Sequence, residues 1–262
     1  MSVSPKIVLI GAGSVAGHLG IALKKSKCTI IQVYSRTETS AKKLSFKLKA
    51  SFTTEIKQLV TDADIYILAI KDDALIELVK QINFQAKLIV HTSGTMSTSV
   101  LNKFKNYGVL YPLQTFSEGQ RINFSQVPFF IEANSKSNLK KIKDFASLLS
   151  TEIYTVDSKK RKAIHVSAVF ACNFSNHMYA IAESILADEK IPFNVLQALI
   201  KETARKATKG SPAKLQTGPA MRNDVEVIQS HLAYLKKTEG FKKIYTLVSK
   251  SILDFGKQNG GK

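Results

Sequence analysis

Cysteine is nearly absent from the 262-residue chain: only Cys28 and Cys172 occur, each inside an apolar-rich segment. Two cysteines cannot staple a fold of this size, so a disulfide scaffold is excluded and reduced thiols in a cytoplasmic setting are expected. Long apolar runs are missing too. None approaches the roughly 18 residues that a membrane span needs, so no integral membrane segment is expected. The opening MSVSPKIVLIGAGSV has no basic stretch before its apolar one, which argues against a secretory signal. Acidic residues are scarce, 20 against 38 Lys and Arg, giving a net charge of +18. Such a balance raises nucleic-acid binding as a role. Against it, most of the cations are lysines spread along the whole chain, and no zinc-finger, RNP-type or basic-zipper pattern accompanies them. A positive field also suits a phosphorylated cofactor or an anionic substrate.

What remains is globular composition, 44% hydrophobic, enough for one large core or two smaller ones. The first half alternates strand-like and helix-like segments. Strands are expected at 6–10, 29–34, 50–52, 64–70, 87–92, 108–112, 127–133 and 152–156. Helices are expected at 14–25, 38–49, 72–81 and 137–149, with a short helix capped by Thr54 and ending near Val60. This pattern predicts βαβ units and a Rossmann-type, doubly wound α/β fold with a mainly parallel sheet. After Asp157 strand signals vanish. Residues 158–187 lack Gly and Pro and read as one long helix. Pro192 starts another, running to about Lys206. KGSPAKLQTGP (209–219) reads as a loop, and Asp224 as the cap of a helix to about Lys237. Gly240 is expected to break that helix before a last one ending near Phe255, and GKQNGGK to fray. The expected division is a dinucleotide-binding domain over 1–157 and an all-α domain over 158–262.

Gly11-Ala12-Gly13-Ser14-Val15-Ala16 matches G-x-G-x-x-[GA] between a strand and a helix. The first glycine permits the tight turn and the second lets a pyrophosphate reach the backbone. The small Ala16 allows close helix–strand packing, and the helix amino end offers unpaired N–H groups. The alternative is a glycine turn that binds nothing. At the end of the second strand an NAD site usually carries a carboxylate for the ribose 2′-hydroxyl. Here stand Ser35, Arg36 and Thr37. A guanidinium with two hydroxyls suits a 2′-phosphate, so NADP(H) is the expected cofactor; the alternative for Arg36 is a solvated surface residue. Ala69, Ile70 and Lys71 after the fourth strand, and Thr92, Ser93 and Gly94 after the fifth, face the same crevice by the switch-point rule. YPLQTF (111–116) is a candidate wall for the substrate.

In the helical half, Asn173 and His177 fall on one helix face and His165 borders it. A histidine titrating near neutrality suits proton donation, and Asn173 suits substrate orientation. Hydrogen-bonded core residues are the competing explanation. His165, Asn173 and Ser93 are the candidate catalytic residues. His165, His177 and His231 lack metal-ligand spacing, so no metal is expected. TGPAMRND (217–224) followed by His231 is a further constellation, readable as an anion site or as capping.

Taken together, GAGSVAGHL, YSRT, HTSG, YPLQTFS, HVSAVFACNFSNH and TGPAMRND with His231 resemble one uncharacterised bacterial family. Its members join a Rossmann-like NADP-binding domain to a helical C-terminal domain of unknown function, and are described as NADP oxidoreductases. More distantly the layout is similar to pyrroline-5-carboxylate reductase and the 6-phosphogluconate dehydrogenase superfamily. The resemblance implies hydride transfer to or from a small C=O or C=N compound and a homodimer formed through the helical domain. It departs at one place: the superfamily's hydroxyacid dehydrogenases carry a lysine four residues before the helix asparagine, where this chain has Val169. A non-catalytic NADP-binding regulatory protein is the alternative.

Overall fold

The computed structural model describes residues 4–235 and 238–258. The chain divides into two compact units, Met1–Ala171 and Cys172–Lys262. The first unit is built on one eight-stranded sheet: β1 (Lys6–Ile10), β2 (Thr29–Tyr34), β3 (Ser51–Thr53), β4 (Ile65–Leu68), β5 (Ile89–His91), β6 (Tyr107–Pro112), β7 (Phe129–Ala133) and β8 (Ile153–Thr155). Their order across the sheet is β3-β2-β1-β4-β5-β6-β7-β8. Every neighbouring pair is parallel except β6 and β7. The chain winds outward from β1 to β3, then returns to lay β4 on the other side of β1. That reversal opens a crevice at the carboxyl ends of β1 and β4.

Helices α1 (Ser14–Lys25), α2 (Glu38–Leu48), α3 (Asp72–Gln81) and α4 (Lys136–Ala146) cover the two faces. After an exposed Lys6, strand β1 is apolar from Ile7 to Ile10, where both its faces are buried. Ile7 and Leu9 pack into a core with Leu19, Leu23, Leu44 and Phe145, whereas Val8 and Ile10 join Tyr66, Leu75 and Leu78. The helix expected behind Thr54 is only a 3-10 turn, Ile56–Gln58. The Thr53 hydroxyl accepts the Glu55 N–H and donates to the Gln58 side chain, which holds the chain in a tight turn.

The stretch read as one long helix is continuous but not uniform. It comprises α5 (Ser158–Ala168), a π-helical segment Val169–Phe174 and α6 (Ser175–Asp188). A π segment takes in an extra residue per turn. Face assignments made at 3.6 residues per turn therefore do not carry across it. The compact division falls inside this helix and not at Asp157, because Arg161 on α5 is fully buried against the sheet unit.

The second unit is helical: α6, α7 (Gln197–Lys209), α8 (Pro219–Arg222), α9 (Val225–Tyr234) and α10 (Glu239–Gln258). Pro192 precedes a 3-10 turn, Phe193–Leu196, and α7 begins only at Gln197. Helix α9 closes at Tyr234; Lys236 and Lys237, the expected end, lie outside the described residues. Gly240 does not break a helix but sits in the first turn of α10, where backbone N–H groups need no helical partner. Helix α10 runs past Phe255 to Gln258, and the rest of the expected frayed tail, 259–262, lies outside the described residues.

Gly108 on β6 is a close approach within the antiparallel pair. A Cβ there would sit 2.3 Å from the Glu132 carbonyl oxygen and 2.4 Å from Ile142 Cδ1. Gly108→Ala is expected to cost about 1–3 kcal/mol by overpacking, read as a lowered urea midpoint with an unchanged slope.

Candidate active site

The crevice is shaped by backbone before any side chain enters it. Gly11 adopts φ +120°, and a Cβ there would lie 2.2 Å from the Ala69 carbonyl oxygen. Only glycine lets the turn after β1 pass this close to the end of β4. Gly13 occupies the cap position of α1 without a side-chain cap, and a Cβ built on it meets nothing within 4 Å. The amino end of α1 therefore faces open space with its first N–H groups uncapped by any side chain and no acidic residue in its first turn. That is the electrostatic and steric requirement of a phosphate cradle. Ser14 is exposed at this opening, Val15 is half-buried, and Ala16 is fully buried against the sheet.

The neighbouring strand ends border the same opening. The Gly11 N–H donates to the Tyr34 carbonyl at 2.8 Å, joining the ends of β1 and β2. Just beyond, the Ser35 hydroxyl accepts the Thr37 N–H at 3.4 Å, and Arg36 and Thr37 are exposed. Thr37 stands at the cap of α2 but makes no side-chain cap bond, so a second helix amino end beside Arg36 is uncapped. After β4, Ala69 is buried, Ile70 half-buried and Lys71 exposed at the start of α3. The Thr92 hydroxyl is committed to the Leu68 carbonyl at 3.3 Å, so it braces β4 against β5.

The connection after β5 is a compact polar turn. The Ser93 hydroxyl accepts the N–H groups of Thr95 and Met96 at 3.1 and 3.0 Å, and the Thr95 hydroxyl donates to the Asp72 carboxylate. Between Ser93 and Thr95 sits buried Gly94. A Cβ there would come within 2.7 Å of His165 Nδ1 and 2.9 Å of Tyr111 Cζ. Over this glycine, Tyr111 Oη and His165 Nδ1 stand 2.9 Å apart, with the rings edge-to-face at 5.9 Å. Burial pushes the Tyr111 phenol up to about 12, against the opposing charge of Arg161. The phenol is thus kept protonated at neutral pH and is a firm hydrogen-bonding partner for the imidazole.

His165 thus meets Tyr111 over the residue that follows Ser93, and Tyr111 is a partner that the sequence placed only in a wall. A tyrosine at the carboxyl end of a central strand was the available signal. Asn173 lies in the π segment and His177 in α6, both exposed in the second unit. There Asp224 precedes α9 without a side-chain cap bond and lies 3.7 Å from Arg222, while His231 Nδ1 meets Tyr245 Oη at 2.8 Å. No group of metal-ligating side chains occurs among the described residues.

Residues 6–95 match the family model described as "NADP oxidoreductase coenzyme F420-dependent", and residues 127–252 match a domain of unknown function, DUF2520. The Bacteroides fragilis protein BF3122, an assigned rather than a demonstrated NADP oxidoreductase, is 43% identical over 96% of this chain and 98% of its own, with a TM-score of 0.91. The chain belongs to this NADP oxidoreductase family. Two solved structures share the fold of the family at lower identity. An imine reductase from Myxococcus stipitatus in complex with NADP+ is 19% identical, with a TM-score of 0.75, over 98% of this chain and 96% of its own. A reductive aminase from Aspergillus terreus in complex with NADPH and ethyl-5-oxohexanoate is 11% identical, with a TM-score of 0.71, over 99% and 95%. No protein of curated function matches the sequence.

Directly behind the Ser93 turn, His91 is completely buried. Its Nδ1 accepts the Ser93 N–H at 3.2 Å, which leaves the proton on Nε2, an atom with no partner among the described residues. Burial, assisted by the Arg161 charge, lowers its pKa to about 4. A folded-state value below the unfolded one means that the unfolded chain takes up the proton first as pH falls. Stability is expected to drop between about pH 6.5 and 4 by up to about 3 kcal/mol from this group. Urea unfolding at pH 7 and 4.5 measures the drop, and His91→Asn should remove most of it.

Proposed function

We propose that the protein is an NADP(H)-dependent oxidoreductase that transfers a hydride between the nicotinamide and a small substrate carrying a C=N or C=O bond. The observation that carries this reading is the uncapped amino end of α1, open in front of Gly13, at the point where the strand order reverses. Gly11, Gly13, Ser14, Val15 and Ala16 form the pyrophosphate turn. Ser35, Arg36 and Thr37 take the 2′-phosphate by a charge-assisted pair and hydroxyl and backbone donors. Ala69, Ile70, Lys71 and Thr92 line the nicotinamide side. The family and the NADP+- and NADPH-bound neighbours that share its fold support this assignment.

The reduced cofactor supplies the hydride when bound. The chain supplies the proton. As hydride reaches the carbon of C=N or C=O, the π electrons move onto nitrogen or oxygen, which must then be protonated. His165 is the donor in this reading. As the acid the ring is the imidazolium: its Nδ1–H donates to the Tyr111 oxygen, and the proton delivered is the one on Nε2, the edge turned away from Tyr111, which leaves a neutral imidazole. Ser93 holds the turn beneath the pair through two backbone N–H groups and Asn173 orients the substrate. The absence of a lysine at Val169 removes a hydroxyacid-dehydrogenase base and fits a proton donor other than lysine.

The protein is inferred to act as a homodimer through the helical unit, which exposes Val195, Leu199, Val225 and Leu247. Exposed apolar side chains favour pairing. A cytoplasmic location fits the two unpaired thiols, Cys28 and Cys172. No helix of the described residues is long and apolar enough to cross a membrane.

Three substitutions test the reading. Gly13→Val, whose Cβ meets no neighbour, should leave the chain folded, with the melting temperature lowered by no more than the few degrees a poorer cap residue costs, yet weaken NADPH binding at least tenfold by calorimetry. Arg36→Ala should lower NADPH affinity roughly 10–100-fold, the worth of a charged hydrogen-bonded pair, and leave NADH affinity untouched. On a panel of imines and carbonyls, His165→Ala should lower kcat by roughly 10²–10⁴ without changing NADPH affinity. Tight NADPH binding by a native chain that turns over nothing on such a panel would favour the regulatory alternative.

A further inference from the structure

Arg161, in the first turn of α5, is a fully buried guanidinium. Its Nη1 pairs with the Glu132 carboxylate at the end of β7, and its Nη2 donates to the Met96 carbonyl in the connection after β5. Ser158, at the start of α5, completes the arrangement. Its hydroxyl donates to Glu132 at 2.8 Å and accepts the Thr98 N–H at 3.1 Å. Three segments are thus fastened by one cation: the first turn of α5, the turn that carries Ser93 and Gly94, and β7.

Each of those segments also fixes one part of the Tyr111–His165 pair. His165 is four residues after Arg161, so both side chains lie on one face of α5, a single turn apart. Gly94, over which the two rings meet, is two residues before Met96. Tyr111 stands on β6, whose register with β7 sets Tyr111 opposite Phe130 and Val109 opposite Glu132. A buried ion pair is a poor device for stability alone, because taking both charges out of water costs about as much as their attraction returns. A planar fork does something an apolar side chain cannot: it fixes direction as well as distance. Burial would raise the Glu132 carboxyl. The hydrogen bonds from Thr98, Arg161 and Ser158 and the Arg161 charge outweigh it and hold the group ionised.

We infer that Arg161 is a positioning residue, whose two-pronged hold on Glu132 and the Met96 carbonyl sets the register in which α5 presents His165 to Tyr111. The inference rests on the reading of that pair as the proton-delivering group, but its test needs no turnover. In the native chain, Tyr111→Phe removes the partner of Nδ1 and is expected to shift the ¹⁵N resonances of the His165 ring. In an Arg161→Met background the same Tyr111→Phe change should shift them no further, because the two rings no longer meet. Arg161→Lys keeps the charge but not the fork. It should recover most of the thermal stability lost in Arg161→Met while leaving the ring-to-ring effect lost. Persistence of the full Tyr111 effect in a cooperatively melting Arg161→Met or Arg161→Lys protein overturns the inference. Should Arg161→Met fail to fold, Glu132→Gln, which keeps the volume but removes the charge and turns one acceptor oxygen into a donor, is read the same way. Loss of the effect supports positioning even if His165→Ala leaves turnover intact; that combination would remove the proposed proton donor and keep the clasp.

Discussion

The amino end of α1 must be left unsatisfied by its own chain, and much of the first unit is arranged to permit this. A helix start without a side-chain cap leaves backbone N–H groups unpaired, and glycine at the cap position keeps that cost to a few tenths of a kcal/mol. Here Gly13 provides no cap, and the side-chain-free backbone keeps the space in front of it open. The opening lies where the strand order reverses between β1 and β4, and the turn after β1 can pass this close to the end of β4 because Gly11 has no Cβ to strike the Ala69 carbonyl. The phosphate cradle, the strand-order reversal and the glycine turn are therefore one constraint seen at three scales.

A second constraint acts on the far side of the crevice. There the fold brings a phenol, an imidazole, a buried neutral histidine and a buried ion pair within a few residues of one turn. Their charges are balanced against one another. Arg161 holds Glu132 ionised and disfavours protonation of His91, while burial keeps Tyr111 protonated. Gly94 makes the arrangement sterically possible, just as Gly11 does on the cofactor side.

The sheet and its helices were legible in the sequence because both-face burial writes continuous apolar runs such as Ile7–Ile10, and because turns are marked by Gly, Pro and Asn. Where the reading failed, a longer-range or subtler force acted. The Thr54 helix gave way to a side-chain-locked turn at Thr53. Gly240 was tolerated at a helix start where no hydrogen bond depended on it. The π segment at Val169–Phe174 leaves no composition signal and spoils helical-wheel arithmetic from that point on. In the site, His165 and Ser93 were legible as polar residues at suggestive places. The part played by Tyr111 was not, because a tyrosine that ends a strand looks the same whether it walls a pocket or meets a histidine 54 positions later.

The sequence by itself determined the local chemistry: a glycine turn between strand and helix, a guanidinium where NAD enzymes carry a carboxylate, and strands alternating with helices. These depend on residues within a few positions of each other, so spacing suffices to specify them. Tertiary structure alone decided which distant residues became partners. Tyr111 and His165, or Arg161 and Glu132, belong to different elements, and their meeting follows from strand order and helix register. No sequence pattern encodes those distances, because they are set by how the whole sheet packs.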